Sequence, residues 1–289
     1  MTYLLLTVFL NVLIFALFKL FAKYDIDNLQ TIVVNYFVCV ISGSVFIGDV
    51  PFSKENFSQP WMGWSLFMGA MFILVFNLIA FSIKKSGITI TTISNKLSLV
   101  IPVLFSFFLY QEDVTFLKIA GIIIAFPAVF FTSKAAEKTK TTNLWLPVLL
   151  FIASGLLDTL VKFVEHYYLQ DPNMQSVYLI HVFFIAGLLG MLLVMYLAKT
   201  GKIRLQAKNI VAGIILGVPN YFSIYFFVRL LNSGFLQSSA AIPINNIGIV
   251  LLSTIVATLF FKEKLTLQKI IGLLLSVASI LFLFFADRK

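Results

Sequence analysis

Two charged side chains stand inside long apolar stretches of the chain, and they are the first candidates for chemistry. Lys96 lies in the run ISNKLS at 93–98, and Asp158 lies in GLLDTL at 155–160. A charge at mid-bilayer costs roughly 2.5–3.5 kcal/mol on insertion scales, so each must face a cavity or a partner. The Lys96 ammonium therefore suits either a counter-ion for an anionic or zwitterionic substrate or a structural ion pair.

Two partners compete for Asp158. If it faces the same cavity as Lys96, the two groups pair, or the carboxyl exchanges a proton. Lys162 lies four residues further along, so a local Asp158–Lys162 pair on one helix face is the alternative. The spacing leaves both open.

Other polar side chains in apolar runs form a second set of candidates. Within a membrane, His181 either relays protons or hydrogen-bonds a neighbouring helix. Buried amides and phenols either bond across helices or line a site. Prolines at 219 and 243 each precede polar residues, and a proline frees a carbonyl one turn back, where interrupted helices often border a site. The candidates are Tyr36, Asn77, Asn95, Asn220, Tyr221, Asn245 and Asn246.

The sequence lacks the motifs that several kinds of chemistry require. A Gly-Lys-Ser/Thr phosphate-binding loop is absent, which excludes ATP hydrolysis by this chain. His, Cys and carboxylates show no metal-ligand spacing, and no nucleophile has its base. We therefore expect no cofactor, no metal and no enzyme activity. Glu112 and Glu263 occur at equivalent places, but each precedes a helix start, at Thr115 and Thr266, where the dipole favours a carboxylate; we interpret both as structural.

The composition indicates that the solvent for most of this surface is lipid. Of 289 residues, 60% are hydrophobic and only 11% are charged, which is more apolar surface than a soluble core of this size can hide. The net charge of +9 comes from Lys and Arg in short loops, where they set orientation, so we expect a lipid bilayer and no nucleic acid as partner.

Apolar runs long enough to span a bilayer predict an all-α polytopic membrane protein. Ten such runs are present, and most connections between them are short, which makes sequential helices antiparallel neighbours. They cover 3–22, 30–48, 61–83, 88–110, 114–133, 144–164, 175–198, 209–231, 235–261 and 266–286.

A repeat divides these ten transmembrane helices into two inverted five-helix repeats. The stretch around Glu112 recurs around Glu263, and 263 − 112 gives an offset of 151. The predicted units are residues 1–133 and 144–289, joined by the loop 134–143. Because five is odd, the second unit enters the bilayer from the opposite face, and the substrate site is expected near the midplane between the units. The same offset joins Thr115 to Thr266, Lys118 to Lys269 and Gly121 to Gly272.

The repeated motif resembles that of the drug/metabolite transporter superfamily, specifically its EamA-like permeases. It consists of proline, a Glu ten residues later, Thr, Lys and Gly leading into an apolar helix, and the resemblance covers essentially the whole chain. Lys19 matches a lysine frequent near the end of the family's first span. Two departures occur: Asn35-Tyr36 stands where the second helix often carries Arg, and Ser253 stands where the first unit has Pro102.

These observations favour a secondary transporter of a small organic metabolite or drug-like solute in the cytoplasmic membrane. We expect alternating access, export coupled to protons or exchange, and a monomer or homodimer. A membrane-embedded enzyme acting on a lipid-linked substrate is the alternative, and a passive channel is a third. The orientation in the membrane stays open. When Lys19 and Lys96 are excluded, the membrane face with both termini carries 6 Lys and Arg residues and the opposite face carries 13. This distribution predicts that the termini lie outside the cell, whereas the resemblance implies that they lie in the cytoplasm.

Overall fold

The computed structural model describes residues 1–86, 88–133, 145–261 and 265–287. These described residues form helices and no strands, and 84% of them are helical, so the predicted all-α class is confirmed. The helices are α1 (Thr2–Lys23), α2 (Asn28–Ile47), α3 (Lys54–Phe57), α4 (Met62–Ser86), α5 (Ile88–Leu97), α6 (Val100–Leu109), α7 (Phe116–Ser133), α8 (Trp145–Tyr168), α9 (Pro172–Lys199), α10 (Ala207–Asn232), α11 (Ser238–Phe260) and α12 (Leu267–Ala286). The predicted loop 134–143 lies outside the described residues.

Eight of the described helices are long and apolar enough to cross a membrane. They are α1, α2, α4 and α8 to α12, whereas α5, α6 and α7 are shorter apolar helices. The chain is therefore a multi-pass helical membrane protein.

Short polar side chains set where several helices begin. Asp27 accepts a hydrogen bond from the Gln30 amide at 2.9 Å, and Asp171 accepts one from the Asn173 amide at 2.9 Å. Thr266 accepts from the Lys269 amide at 3.3 Å in the same way. Each satisfies a backbone N–H that the first helical turn leaves without a partner.

The fourth apolar run is interrupted, and the prediction of one helix over 88–110 is wrong. It forms α5 and α6, which meet at Ser98 and Leu99. The cause is Pro102, which has no N–H to donate to the Ser98 carbonyl and whose ring crowds that carbonyl. The Ser98 carbonyl accepts from the Ile101 amide instead, at 3.0 Å. By contrast, α10 and α11 continue through Pro219 and Pro243.

Contacts between chain segments define two ends of the helix bundle. At the first, which we call the terminus end, Asp287 pairs with Lys118 at 3.1 Å and Arg229 lies over the Tyr3 ring at 5.7 Å. At the second, which we call the loop end, the Lys208 ammonium donates to the Asp25 carbonyl at 2.5 Å. Both ends of the described chain lie at the terminus end.

Helices from the first part of the chain pack mainly against helices from the second part. The helix α2 lies between α9 and α10, α4 packs on α8 and α9, and α7 packs along α12. Gly155 brings α8 close to the break between α5 and α6, since a Cβ there would lie 2.8 Å from the Ser98 carbonyl oxygen and 2.6 Å from Ile101 Cβ. This interleaving surrounds the middle of the bundle with side chains from both parts.

Candidate functional site

A cavity of about 320 Å³ lies in the middle of the bundle, and we call it the central cavity. Its walls come from α1, α2, α4, α5, α8, α10 and α11, so it is enclosed by both parts of the chain. Apolar side chains such as Phe72, Phe76 and Phe227 form much of its surface. Seven of the predicted site residues line it: Tyr36, Asn95, Lys96, Asp158, Asn220, Asn245 and Asn246.

Lys96 and Asp158 are brought together by helices that are far apart in sequence. Lys96 stands at the end of α5, directly before the break, and Asp158 stands midway along α8. The two opposite charges interact across the cavity, and the Asn246 side chain hydrogen-bonds the Asp158 carboxyl. The Lys96 ammonium also lies 5.1 Å from the centre of the Phe15 ring. Because both groups line a cavity, a ligand that enters it could replace either partner of the pair.

The local alternative for Asp158 is not what the structure shows. Lys162 instead pairs with Glu165 on its own helix, at 2.6 Å, and its side chain is 11% exposed. Glu165 also accepts a hydrogen bond from Asn232 at 3.0 Å. Lys162 is therefore a structural ion pair at the terminus end, and Asp158 keeps Lys96 as its opposite charge.

Amide side chains complete the polar wall of the central cavity. Asn95 donates to the Ser154 hydroxyl at 2.8 Å, which fixes α5 to α8 beside the charged pair. Asn220 donates to the Cys39 sulfur at 3.7 Å. The side-chain oxygen of Asn245 is buried and has no hydrogen-bond partner. An acceptor left open at a cavity wall is available to a ligand or a water.

Three of the predicted candidates do not line the central cavity. Asn77 donates to the Ile73 carbonyl of its own helix at 2.8 Å. Tyr221 is fully buried against Gly43, where it packs as part of the core. His181 is also fully buried, its ring within 5.5 Å of the rings of Phe52, Phe57 and Trp61, and its Nδ1 contacts the Val177 carbonyl at 2.9 Å.

Sequence reasoning missed three polar residues of the central cavity. Asn11, Ser154 and Ser223 all line it. The criterion that selected the other amides, a polar side chain inside an apolar run, also applies to Asn11. Ser154 and Ser223 carry too weak a signal, because serine is common in membrane helices and usually bonds its own backbone.

A second cavity, of about 260 Å³, adjoins the first, and we call it the lateral cavity. Lys96 and Ile249 belong to both cavities, so they mark the boundary between them. Lys19 and Lys269 line the lateral cavity together with Phe15 and Phe261, which places it between the charged pair and the loop end.

Glu112 lies at the terminus end, and it caps the helix α11 instead of α7, the helix that follows it in the sequence. It accepts hydrogen bonds from the amides of Ser238 and Ser239, at 2.9 and 2.8 Å, and from the Ser238 hydroxyl. Partial burial raises the pKa of the Glu112 carboxyl, but these hydrogen bonds outweigh it and leave the pKa below its ordinary value. The structural interpretation therefore suits Glu112, although the helix it stabilises is α11 and not α7. Glu263 lies outside the described residues.

The described residues hold no group of three or more His, Cys, Asp or Glu side chains arranged to bind a metal ion. The chemistry that the cavities do offer is binding by charge and hydrogen bonds within an apolar enclosure. Ionisable groups facing a cavity inside a helical membrane protein are typical of membrane transporters as a class.

Comparison with known proteins shows which family the first part of the chain is similar to. Residues 2–134 match the model of the EamA-like transporter family. This confirms the resemblance to drug/metabolite transporter permeases, and members of that family are transporters. An uncharacterised protein of Haemophilus influenzae is 25% identical over 289 residues, covering 96% of each chain.

A solved crystal structure of another protein has the same fold. The two superpose with a TM-score of 0.78 at 13% sequence identity, covering 99% of this chain and 98% of that one. The fold is therefore shared along the whole chain, including the part beyond residue 134.

Proposed function

We propose that this chain is a secondary transporter that moves a small organic metabolite or drug-like solute by alternating access, with the central cavity as its substrate site. The single observation that supports this most is the placement of Lys96 and Asp158. Both charges line one cavity, and the helices that form its walls come from both parts of the chain. A purely structural ion pair would need no cavity beside it.

In many transporters, alternating access is built on two similar units of opposite orientation, and we propose residues 1–133 and 144–289 as those units. Their helices correspond in order: α1 to α8, α2 to α9, α4 to α10, the pair α5 and α6 to α11, and α7 to α12. Each unit then has five crossings, so the second is inverted relative to the first.

The packing supports this correspondence, because many helix contacts recur when the units are exchanged. The contact between α2 and α10 has its counterpart between α9 and α4, and that between α1 and α10 has its counterpart between α8 and α4. Likewise α1 meets α11 as α8 meets α5 and α6, and α11 meets α12 as α5 meets α7. Two related units have two packings of nearly equal energy, one open to each side.

Asp158 is the carboxylate among the described residues of the central cavity, and it is the group we assign to proton coupling. A carboxyl that can pair with Lys96, with a substrate or with a proton links binding to proton movement. We further propose export across the cytoplasmic membrane, driven by protons or exchange, and no enzyme activity. Glu112, the surface carboxylate that a membrane enzyme would recruit, is occupied by the start of α11.

The test is transport by purified protein in proteoliposomes. A thermal-shift screen of metabolites would select solutes, and uptake of each hit would then be measured with and without a pH gradient. Lys96→Ala should abolish or strongly reduce uptake, whereas Lys202→Ala, which removes an exposed lysine from the α9–α10 loop, should leave it unchanged. Equal transport by Lys96→Ala and the unmodified protein would remove Lys96 from the site.

A further inference from the structure

Gln30, near the start of α2, joins the two parts of the chain at the loop end. Its side-chain amide donates to the Arg204 carbonyl at 2.9 Å. Its side-chain oxygen accepts hydrogen bonds from the Asn209 side chain at 2.9 Å and from the Gln206 backbone amide at 3.3 Å. These partners lie in the loop before α10 and in its first turn. We call these hydrogen bonds the loop-end latch, because they fasten the start of α2 to the start of α10.

Gln175 is the counterpart of Gln30 in the second unit. Residues 29–31 are Leu-Gln-Thr and residues 174–176 are Met-Gln-Ser, and 175 − 30 gives an offset of 145. At the terminus end, however, the Gln175 side-chain amide donates to the Leu169 carbonyl at 2.9 Å, within its own unit. Its side-chain oxygen is buried and has no hydrogen-bond partner among the described residues. The two glutamines therefore differ, because Gln30 bonds to the other unit and Gln175 bonds back to its own.

A buried donor without a partner lies beside the same helix. Trp61 directly precedes α4 as Gln206 directly precedes α10, and 206 − 61 again gives 145. The Trp61 side chain is 2% exposed, and its indole N–H has no partner in the part of the chain that the structure describes. Its ring lies 5.8 Å from that of Tyr178, which stands three residues after Gln175 on α9. Residues three apart share one face of a helix, so the indole lies against the face of α9 that carries Gln175.

The unpaired indole of Trp61 and oxygen of Gln175 indicate a second arrangement of the terminus end. A buried donor or acceptor without a partner costs free energy, because it has lost its hydrogen bond to water. The pairing that satisfies both is the one that their counterparts make, since Gln206 donates to Gln30 at the loop end. If the two units exchange conformations, the residue before α4 meets the glutamine of α9 in the same way.

The same exchange supplies Gln30 with a new acceptor. The Leu169 carbonyl, to which Gln175 donates, corresponds to the Tyr24 carbonyl, since 169 − 24 is also 145. In this structure the Tyr24 carbonyl accepts from the Lys208 ammonium at 3.2 Å. Lys208 lies in the first turn of α10, so moving α10 away from α2 would free this carbonyl for the Gln30 side chain.

We propose that Gln30 and Gln175 form alternative latches that hold the two conformations of the transport cycle. The loop-end latch holds one conformation. A terminus-end latch, in which the Trp61 indole N–H donates to the Gln175 side-chain oxygen, holds the opposite one. This rests on the proposed function, because it assumes two inverted units that exchange conformations. The residues that line the central cavity include neither glutamine, so the latches act on conformation and not on solute contact.

Distances between spin labels at each end would measure the two conformations of the protein in nanodiscs. One pair of labels, at Asn28→Cys and Lys202→Cys, reports the loop end, and another, at Glu55→Cys and Asn173→Cys, reports the terminus end. All four residues are exposed. Each pair is placed in a Cys39→Ser background, which removes the buried native cysteine. Double electron–electron resonance then gives the fraction of molecules in which each end is closed.

Gln30→Leu removes the loop-end latch while keeping a side chain of similar size. We expect the closed fraction at the loop end to fall several-fold and the closed fraction at the terminus end to rise. Adding Trp61→Phe, which keeps a ring but removes the N–H, should reverse the rise at the terminus end. Unchanged distances at both ends in Gln30→Leu, or a rise that persists in the double variant, would overturn the proposal.

Two further variants separate a latch from general damage to the fold. Gln170→Leu makes the same substitution at an exposed glutamine of the α8–α9 loop, and it should leave both distances unchanged. Asn209→Ala removes a donor to the Gln30 oxygen without altering the glutamine, and it should shift both fractions in the same direction as Gln30→Leu. An equal shift in Gln170→Leu, or none in folded Asn209→Ala, would contradict the latches.

Transport measured on the same variants keeps this proposal apart from the proposed function. Opposite changes at the two ends, in a protein that transports no solute, would refute the proposed function alone. Transport by a protein whose distances respond neither to Gln30→Leu nor to Asn209→Ala would refute the latches alone.

Discussion

The Glu112 carboxylate accepts a hydrogen bond from the Ser239 backbone amide at 2.8 Å, across a separation of 127 residues. A loop of the first part of the chain thereby provides a hydrogen-bond acceptor for the backbone N–H groups in the first turn of α11. The N-cap residue of that helix, Gln237, makes no side-chain cap hydrogen bond of its own. The carboxylate also lies where the helix dipole favours negative charge. This contact ties together the two parts of the chain at the terminus end.

Replacing Glu112 should therefore destabilise the fold. Glu112→Gln keeps the shape but loses the charge, and we expect a loss of about 1–3 kcal/mol, the range for a helix cap and for hydrogen bonds to a charged group. Unfolding of the detergent-solubilised protein, followed by circular dichroism, would measure it. Asp113→Asn is the matched control, because Asp113 is the next residue and is exposed. A Glu112 variant as stable as the control would show that the cap contributes nothing.

The same carboxylate should make stability depend on pH. Its pKa is lower in the folded protein than the ordinary value of about 4.3. The unfolded chain therefore binds the proton more readily, so the contribution is fully present above that ordinary value and is lost as pH falls through the folded-state pKa. Melting temperatures measured from pH 7 to 3 should fall less steeply in Glu112→Gln than in the unmodified protein. Identical acid slopes would indicate that other groups dominate.

The pair of Lys118 and Asp287 should show the asymmetry expected of buried ions. Side-chain exposures of 1% and 5% leave either charge without water if its partner is removed. Asp287→Asn alone should cost about 3–5 kcal/mol, whereas Lys118→Met/Asp287→Leu should regain most of that loss. Chemical denaturation of the single and double variants would measure the coupling. Additive losses in the double variant would mean that the two groups are energetically independent.

Gly155 should be intolerant of even one added methyl group. A Cβ at this position would lie 2.6 Å from Ile101 Cβ and 2.8 Å from the Ser98 carbonyl oxygen, closer than real atoms approach. Gly155→Ala should therefore push α8 away from the α5–α6 break, destabilise the protein by about 1–3 kcal/mol and disturb the spacing of Lys96 and Asp158.

Gly63 provides the matched control for that substitution. A Cβ at Gly63, also in a helix, would meet nothing within 4 Å, so Gly63→Ala should be neutral or slightly stabilising. Thermal unfolding of both variants is the measurement. Equal effects at the two glycines would contradict the close approach of α8.

The helices and the charged candidates could be predicted from the sequence, because both depend on local information. Apolar length alone indicates a spanning helix, and the cost of an intramembrane charge marks Lys96 and Asp158 without any knowledge of the fold. The break at Ser98 could also have been predicted, because Pro102, four residues later, has no N–H to donate to the Ser98 carbonyl. The same rule would have wrongly broken α10 and α11, where packing holds the helices continuous through their prolines.

Partners across the fold were decided by tertiary structure. Asp158 had Lys96 and Lys162 as candidates at the level of sequence, and packing settled the choice by placing Glu165 beside Lys162 and α5 beside α8. No residue near Glu112 in the sequence indicates that its carboxylate accepts a hydrogen bond from the Ser239 amide.

By itself, the sequence determined that this is a helical membrane protein with a repeated motif and charges at depth, since each of these follows from residue type and spacing along one chain. The tertiary structure decided which of those charges share a cavity, that the Glu112 carboxylate caps α11 at the terminus end, and which lysines line the lateral cavity. Such contacts join residues more than a hundred positions apart, and their geometry depends on how every intervening helix packs.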